Sequence, residues 1–160
     1  MCDFTLRPLN TSDRAWVAQR ITESWGAEVV VVHEAIYHPA ELAGFAALSG
    51  HEVIGLLTYH IEGAACEIVT LDSWSEGHGV GTALIEAVKQ TANLEGCKRL
   101  WLVTTNDNTH ALRFYQKRGF VIAAIRINAL EKARRLKPEI PLTGEDGIPL
   151  RDEIELEMIL

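Results

Sequence analysis

Two periodicities alternate along the chain, and their switching outlines the elements. Residues 4–9 read as a short strand, and Asn10, Thr11, Ser12 and Asp13 supply capping chemistry for a helix reaching about Trp25. Val17, Ile21 and Trp25, four apart, form that helix's apolar face. Residues 26–39 are ambiguous: Val29 to Val32 are β-branched and strand-like, whereas 33–37 fit a helical turn. Extended segments follow at 42–48, 53–61 and 65–71, with turns at 49–52 and 62–64, the pattern of an antiparallel meander.

Val80, Ala83, Leu84, Ala87, Val88 and Thr91 then follow helical spacing, and Gly96 supplies a stop. A buried-type strand over 99–105, a short helix over 108–118 ended by Gly119, and a strand over 120–127 come next. A helix over 129–137 stops at Pro138, and 138–152 is irregular. In the last strand Ile154, Leu156 and Met158 alternate with Glu153, Glu155 and Glu157, so one face is expected to be buried and the other to carry carboxylates.

No linker or repeat divides these elements, so residues 1–160 read as a single domain with a helix–loop insert at about 129–152. With 48% hydrophobic residues, a chain of 160 can bury a core without disulfides or a structural metal. Its 15 Lys and Arg against 22 Asp and Glu leave a net charge of −7, which argues against a nucleic-acid partner. Cys2, Cys66 and Cys97 are odd in number and share no ligand spacing. His33 and His38, five apart, fit no recognised ligand pair, so no metal is expected. The N-terminus lacks a basic and apolar leader, and no apolar run approaches a membrane span, so the expectation is a cytoplasmic protein with no membrane partner.

Chemistry concentrates in the glycine cluster Gly77-His78-Gly79-Val80-Gly81-Thr82, which follows a strand and opens a helix. Glycine lets backbone approach a ligand closely, and a helix N-terminus offers free N–H groups to a pyrophosphate. A Walker A loop needs a Lys that does not follow these glycines. A dinucleotide fingerprint needs a third Gly where Thr82 or Leu84 stands. The third pattern is [QR]-x-x-G-x-[GA], with Gly79 and Gly81 in its glycine positions and Glu76 where it has Gln or Arg; the remaining alternative is a plain turn that holds no ligand.

Some twenty-seven residues beyond Gly81, Asn108, Ala111, Tyr115, Gly119 and Phe120 keep the spacing N-x-x-A-x-x-x-Y-x-x-x-G-F. With both signatures in order, the sequence resembles the GNAT family of acetyl-CoA-dependent N-acetyltransferases. That resemblance implies an α+β fold, a central mixed sheet flanked by helices and splayed at the cofactor cleft between its fourth and fifth strands. It implies acetyl-CoA as co-substrate, no metal, and transfer of the acetyl group to a primary amine of a small molecule or an exposed amino group by direct attack. A non-catalytic acyl-CoA-binding or sensing module on the same fold is the alternative.

By the same resemblance, Gly77, His78, Gly79, Val80, Gly81 and Thr82 would hold the pyrophosphate, and Leu71, Asp72 and Ser73 would pair with the pantetheine arm. Asn108 would face that arm from the other side, and a backbone N–H near Leu71 or Asp72 would meet the oxyanion. The family's usual Gln or Arg is Glu76 here, and a protonated His78 would offset its charge.

Acetyl transfer needs an acid for the departing thiolate and a base for the amine. Tyr115 occupies the family's acid position, and a phenol of pKa ~10 suits that donation. Glu67 is the expected base: strict alternation along its strand puts Glu67, Val69 and Leu71 on one face, where apolar neighbours would raise its pKa. A salt-bridged or solvent-facing Glu67 is the competing reading, with His60 and Asp72 in reserve. Acceptors would enter between residues 25–39 and 129–152. The second segment, with Arg134, Arg135, Lys137 and Arg151, reads as a pocket lid or as a packing arm in a monomer or homodimer. The carboxylates of the last strand read as a solvated face or as a field drawing a cationic amine.

Overall fold

Nine strands and four helices make up the computed structural model, which describes residues 3–160; Cys2 lies outside the described residues. The strands are β1 (Thr5–Pro8), β2 (Val30–Val32), β3 (Ala35–Tyr37), β4 (Ala43–Ser49), β5 (Glu52–Glu62), β6 (Ala65–Ser73), β7 (Arg99–Thr105), β8 (Val121–Arg126) and β9 (Glu153–Ile159). The helices are α1 (Arg14–Trp25), α2 (Val80–Leu94), α3 (Thr109–Gln116) and α4 (Ala129–Leu136). Seven strands form one mixed sheet in the order β1-β4-β5-β6-β7-β9-β8, and β2 and β3 pair separately. This is the expected α+β architecture. Among the described residues, no helix is long and apolar enough to cross a membrane.

Each face of the sheet has its own core. Leu84, Val88 and Ala92 of α2 pack on Cys66, Ile68 and Leu100, and Val17 and Ile21 of α1 pack on Leu56 and Val69. Burial pushes the Cys66 thiol up to about 12, so it acts as a small apolar group. A capping box closes the single turn Thr11–Asp13 that leads into α1: the Asn10 side chain accepts from the Ser12 N–H, and the Asp13 carboxylate accepts from the Asn10 N–H. Arg7 donates twice to Asp13 at 2.8 Å and Trp16 Nε1 once at 2.7 Å, which holds that carboxyl far below its ordinary range.

Four expectations change. Trp25 is 40% exposed and does not complete the α1 core. Residues 33–37 do not form a helical turn. They close a β2–β3 hairpin in which His33 and Glu34 take φ values of 40° and 67°. A two-residue primed turn requires positive φ at both central positions, and the flanking β-branched residues favour the paired strands.

Third, the alternation in β6 slips by one. Thr58 of β5 pairs with Thr70 and Tyr59 with Ile68, so Val69 is an extra residue in a bulge. Before and after the bulge, Ile68 and Leu71 both pack toward the α2 core, while Val69 packs toward α1. Asp72, not Leu71, therefore reaches α1.

Fourth, the last strand does not present a free row of carboxylates. Glu153 is buried and accepts the His33 N–H at 2.9 Å, Glu157 pairs with Arg99, and Glu155 pairs with Arg99 and Arg126. Burial alone would raise the Glu155 carboxyl, but the hydrogen bonds from Arg126 and Arg99 outweigh it and hold it below the ordinary value. With two guanidiniums against three carboxylates, the row keeps only part of its charge as a field for drawing an amine.

Candidate active site

β6 and β7 run parallel only from Ala65↔Arg99 to Glu67↔Trp101 and then part. The parting leaves residues 68–73 without a ladder partner on the β7 side, and two cavities open there. The larger, about 780 Å³, lies between the end of β6, the N-terminus of α2 and the face of α3. The smaller, about 260 Å³, lies between Trp25, the β6 and β7 edges and the insert. Leu71, Asp72, Asn108, Ala111, Tyr115 and Glu145 line both.

The larger cavity gathers nearly all the residues expected to bind the cofactor: Leu71, Asp72, Ser73, Gly77, Gly79, Val80, Gly81, Thr82 and Asn108. Gly79 caps α2 with φ of 78° and no side chain over the first turn, so the helix's N–H groups face the cavity uncovered. Open space surrounds the position that a Cβ would take at Gly77 and at Gly79. The Asn108 Oδ1 accepts from the Ala111 N–H at 3.0 Å and caps α3. This chain's residues therefore fit a long ligand with a diphosphate at one end and an arm along the open strand.

His78 is the exception, since it does not line the cavity, and its Nδ1 lies 3.0 Å from Ser75 Oγ. Glu76 does line it, and so does the cation Arg118, which the sequence reading did not single out. The Arg118 guanidinium stacks on Phe114 at 3.6 Å and donates from Nε to Thr82 Oγ1 at 2.9 Å and from Nη1 to the Phe114 carbonyl at 2.8 Å. Its Nη2 has no partner among the described residues, so a fixed charge faces the glycine loop. The clue was present in sequence, because Arg118 is one helical turn beyond Phe114.

Tyr115 is buried between Phe114 and Phe120, with ring centroids 5.1 and 5.5 Å away. Among the described residues nothing hydrogen-bonds its hydroxyl, and the residue lines both cavities at their junction. Burial, and then the Asp72 charge, push the phenol above its ordinary value, so it stays a proton donor.

Glu67 lies where β6 and β7 are still paired, and it lines neither cavity. It is not set among apolar neighbours alone: Tyr37 Oη donates to it at 2.6 Å, and His33 Nε2 lies 2.7 Å from its other oxygen. The hydrogen bond to Glu67 raises the His33 pKa above its ordinary value. The His33 ring also lies tilted against Trp101, centroids 5.1 Å apart, and His60 lies tilted against Tyr37 at 5.7 Å. This cluster pins the β2–β3 hairpin to the sheet.

The insert meets the site at two points. The Lys137 Nζ donates to the Trp25 and Val29 carbonyls at 2.9 and 3.1 Å, and Lys132 pairs with Glu34 at 3.1 Å. Burial lowers the Lys137 pKa. At its tip, the Glu145 N–H donates to Asp107 Oδ2 at 3.0 Å, and a Cβ on Gly144 would come within 2.0 Å of that same oxygen. Only glycine lets the tip sit against the start of α3, which brings Glu145 to both cavities. Among the described residues, no cluster of three or more His, Cys, Asp or Glu could hold a metal ion.

Comparison with known proteins shows what the chain is similar to. The model of the acetyltransferase (GNAT) family matches residues 10–120. An uncharacterized Bacillus subtilis protein, YdhI, is 45% identical over 154 residues, covering 96% of each chain. The B. subtilis spermine/spermidine N(1)-acetyltransferase is 32% identical over 91 residues, which is 53% of this chain and 56% of that one. Among solved structures, a GNAT family acetyltransferase from Elizabethkingia anophelis with acetyl-CoA bound superposes with a TM-score of 0.71, at 23% identity and over the whole of both chains.

Proposed function

The chain belongs to the acetyltransferase (GNAT) family, and from that premise we propose that it moves an acetyl group from acetyl-CoA to a primary amine by direct attack. The observation that carries this reading is the unpartnered Tyr115 hydroxyl at the junction of the two cavities. The larger cavity takes acetyl-CoA: the α2 N-terminus and the backbone of the loop at 77–82 hold the diphosphate, with Arg118 adding charge beside Thr82. The open edge of β6 at Leu71, Asp72 and Ser73 pairs with the arm, and Asn108 faces it. Bound there, acetyl-CoA supplies the activated acyl group.

A backbone N–H near Leu71 or Asp72 meets the developing oxyanion, and Tyr115 Oη gives its proton to the departing sulfur. The smaller cavity takes the acceptor. An amine acceptor is supported by the name of the spermine/spermidine relative, whose acceptors are polyamines. Calorimetric titration of the purified protein with acetyl-CoA tests the first half of the reading, with one saturable site expected. Mass spectrometry of an amine panel after incubation tests the second, with an N-acetylated product expected. The alternative, a binding or sensing module, is favoured only by Glu76, and it expects the titration without the product.

A further inference from the structure

The smaller cavity holds a carboxylate that the cofactor side does not use through its side chain. Asp72 sits past the β6 bulge, on the part of the strand that has lost β7, and lines both cavities. Its Oδ2 accepts from Trp25 Nε1 at 3.2 Å, and its Oδ1 has no partner among the described residues. The indole bond sets the direction of the carboxyl group and leaves one oxygen for a ligand. Glu145 is the other carboxylate on the walls of the smaller cavity, and no Lys, Arg or His lines it. Val69, Leu102 and Val103 supply an apolar floor.

We propose that Asp72 is the catalytic base of this acetyltransferase, taking a proton from a cationic primary-amine acceptor seated against Trp25 in the smaller cavity. The inference rests on the functional reading above and replaces Glu67, whose two oxygens are occupied by Tyr37 and His33. An acceptor that arrives as an ammonium passes one proton to Asp72 Oδ1 and becomes nucleophilic. The nitrogen lone pair forms the C–N bond, and the C–S bond breaks as Tyr115 protonates sulfur. The remaining surplus proton on nitrogen restores the phenol, and Asp72 returns its own proton to solvent, so one proton is released for each acetyl group transferred. Burial raises the Asp72 carboxyl above its ordinary value, against the Trp25 bond that lowers it, which brings it closer to the operating range of a base. The titratable groups that share its cavities are Tyr115 and Glu145 in both, and Glu76, His110 and Arg118 on the cofactor side only, so no cation lines the cavity that takes the acceptor.

The test compares two acceptors that differ in the need for a base. Putrescine is an ammonium at neutral pH, and hydroxylamine is already uncharged. Thiol release from acetyl-CoA is followed for the wild type and Asp72→Asn with each acceptor, after subtraction of the uncatalysed rate, alongside calorimetric acetyl-CoA binding. The expected result is a loss of about 100-fold or more with putrescine, a loss below about fivefold with hydroxylamine, and unchanged acetyl-CoA affinity. Trp25→Phe, which frees the carboxyl without removing it, is expected to cost about tenfold with putrescine and to spare hydroxylamine. Equal activity of Asp72→Asn and wild type, or equal losses with both acceptors, overturns the role of Asp72 while leaving the acetyltransferase reading intact. A wild type that binds acetyl-CoA and releases thiol with neither of these nor any other amine of the panel overturns the functional reading, and this inference with it.

Discussion

Trp25 at the end of α1 donates its indole N–H to Asp72 at the end of β6, 3.2 Å away and 47 residues on in sequence. The contact ties the acceptor wall to the strand that faces the cofactor cleft. Lys137 holds the backbone of that same Trp25 from the insert, so three distant segments converge on one corner of the site.

Tyr115→Phe removes the proton donor and keeps the ring packed between Phe114 and Phe120. Turnover is expected to fall by about 100-fold or more, with acetyl-CoA affinity within about threefold of wild type and stability little changed. Steady-state kinetics and calorimetry read the split. Unchanged turnover removes Tyr115 as the acid.

Arg118→Ala takes away the guanidinium beside the glycine loop. Loss of a charge-assisted contact to a phosphate is expected to weaken acetyl-CoA binding by about tenfold at low salt and by less at high salt. Calorimetry across a salt series checks this. An affinity indifferent to both the substitution and salt contradicts it.

The His33–Glu67 pair makes stability depend on pH in a predictable direction. Its hydrogen bond to Glu67 raises the His33 pKa above the unfolded value of about 6.5. Folding therefore favours the protonated ring, and that contribution is full below about pH 6.5 and is lost as pH rises through the raised value. Denaturant unfolding of the wild type should show this fall. Glu67→Gln should flatten the slope and cost about 1–3 kcal/mol below that range, through the broken buried pair.

Gly144→Ala sets a Cβ against the Asp107 carboxylate. The tip of the insert must shift, at a cost of about 1–3 kcal/mol in stability, and Glu145 moves away from the cavities. The expected kinetic signature is a raised KM for a cationic acceptor with acetyl-CoA affinity preserved. An unaltered KM contradicts a role for the insert in the acceptor site.

Local pattern carried most of the frame, because the meander, α2, β7, α3 and α4 are written in periodicity and stop residues. The glycine cluster and the spacing from Asn108 to Phe120 likewise pointed to the cleft, where all but His78 of the residues expected at the cofactor meet. What escaped depended on neighbours distant in sequence. The bulge at Val69 is visible only as a mismatch in pairing with β5, and it exchanges Leu71 for Asp72 on the α1 side. Glu67 read either as a base among apolar neighbours or as a paired carboxylate, and the pattern left the two open because its partners, His33 and Tyr37, come from a hairpin 30 or more residues earlier in sequence. The last strand's carboxylates read as solvated because Arg99 and Arg126 reach them across strands.

The most direct measurement is the rate of free-thiol release from acetyl-CoA by the purified protein, with and without added primary amines. The expected result is amine-dependent release that saturates in both acetyl-CoA and acceptor and collapses in Tyr115→Phe. Saturable binding of acetyl-CoA with no release above the uncatalysed rate, for any primary amine offered, would contradict acetyl transfer and make the cleft a binding site alone.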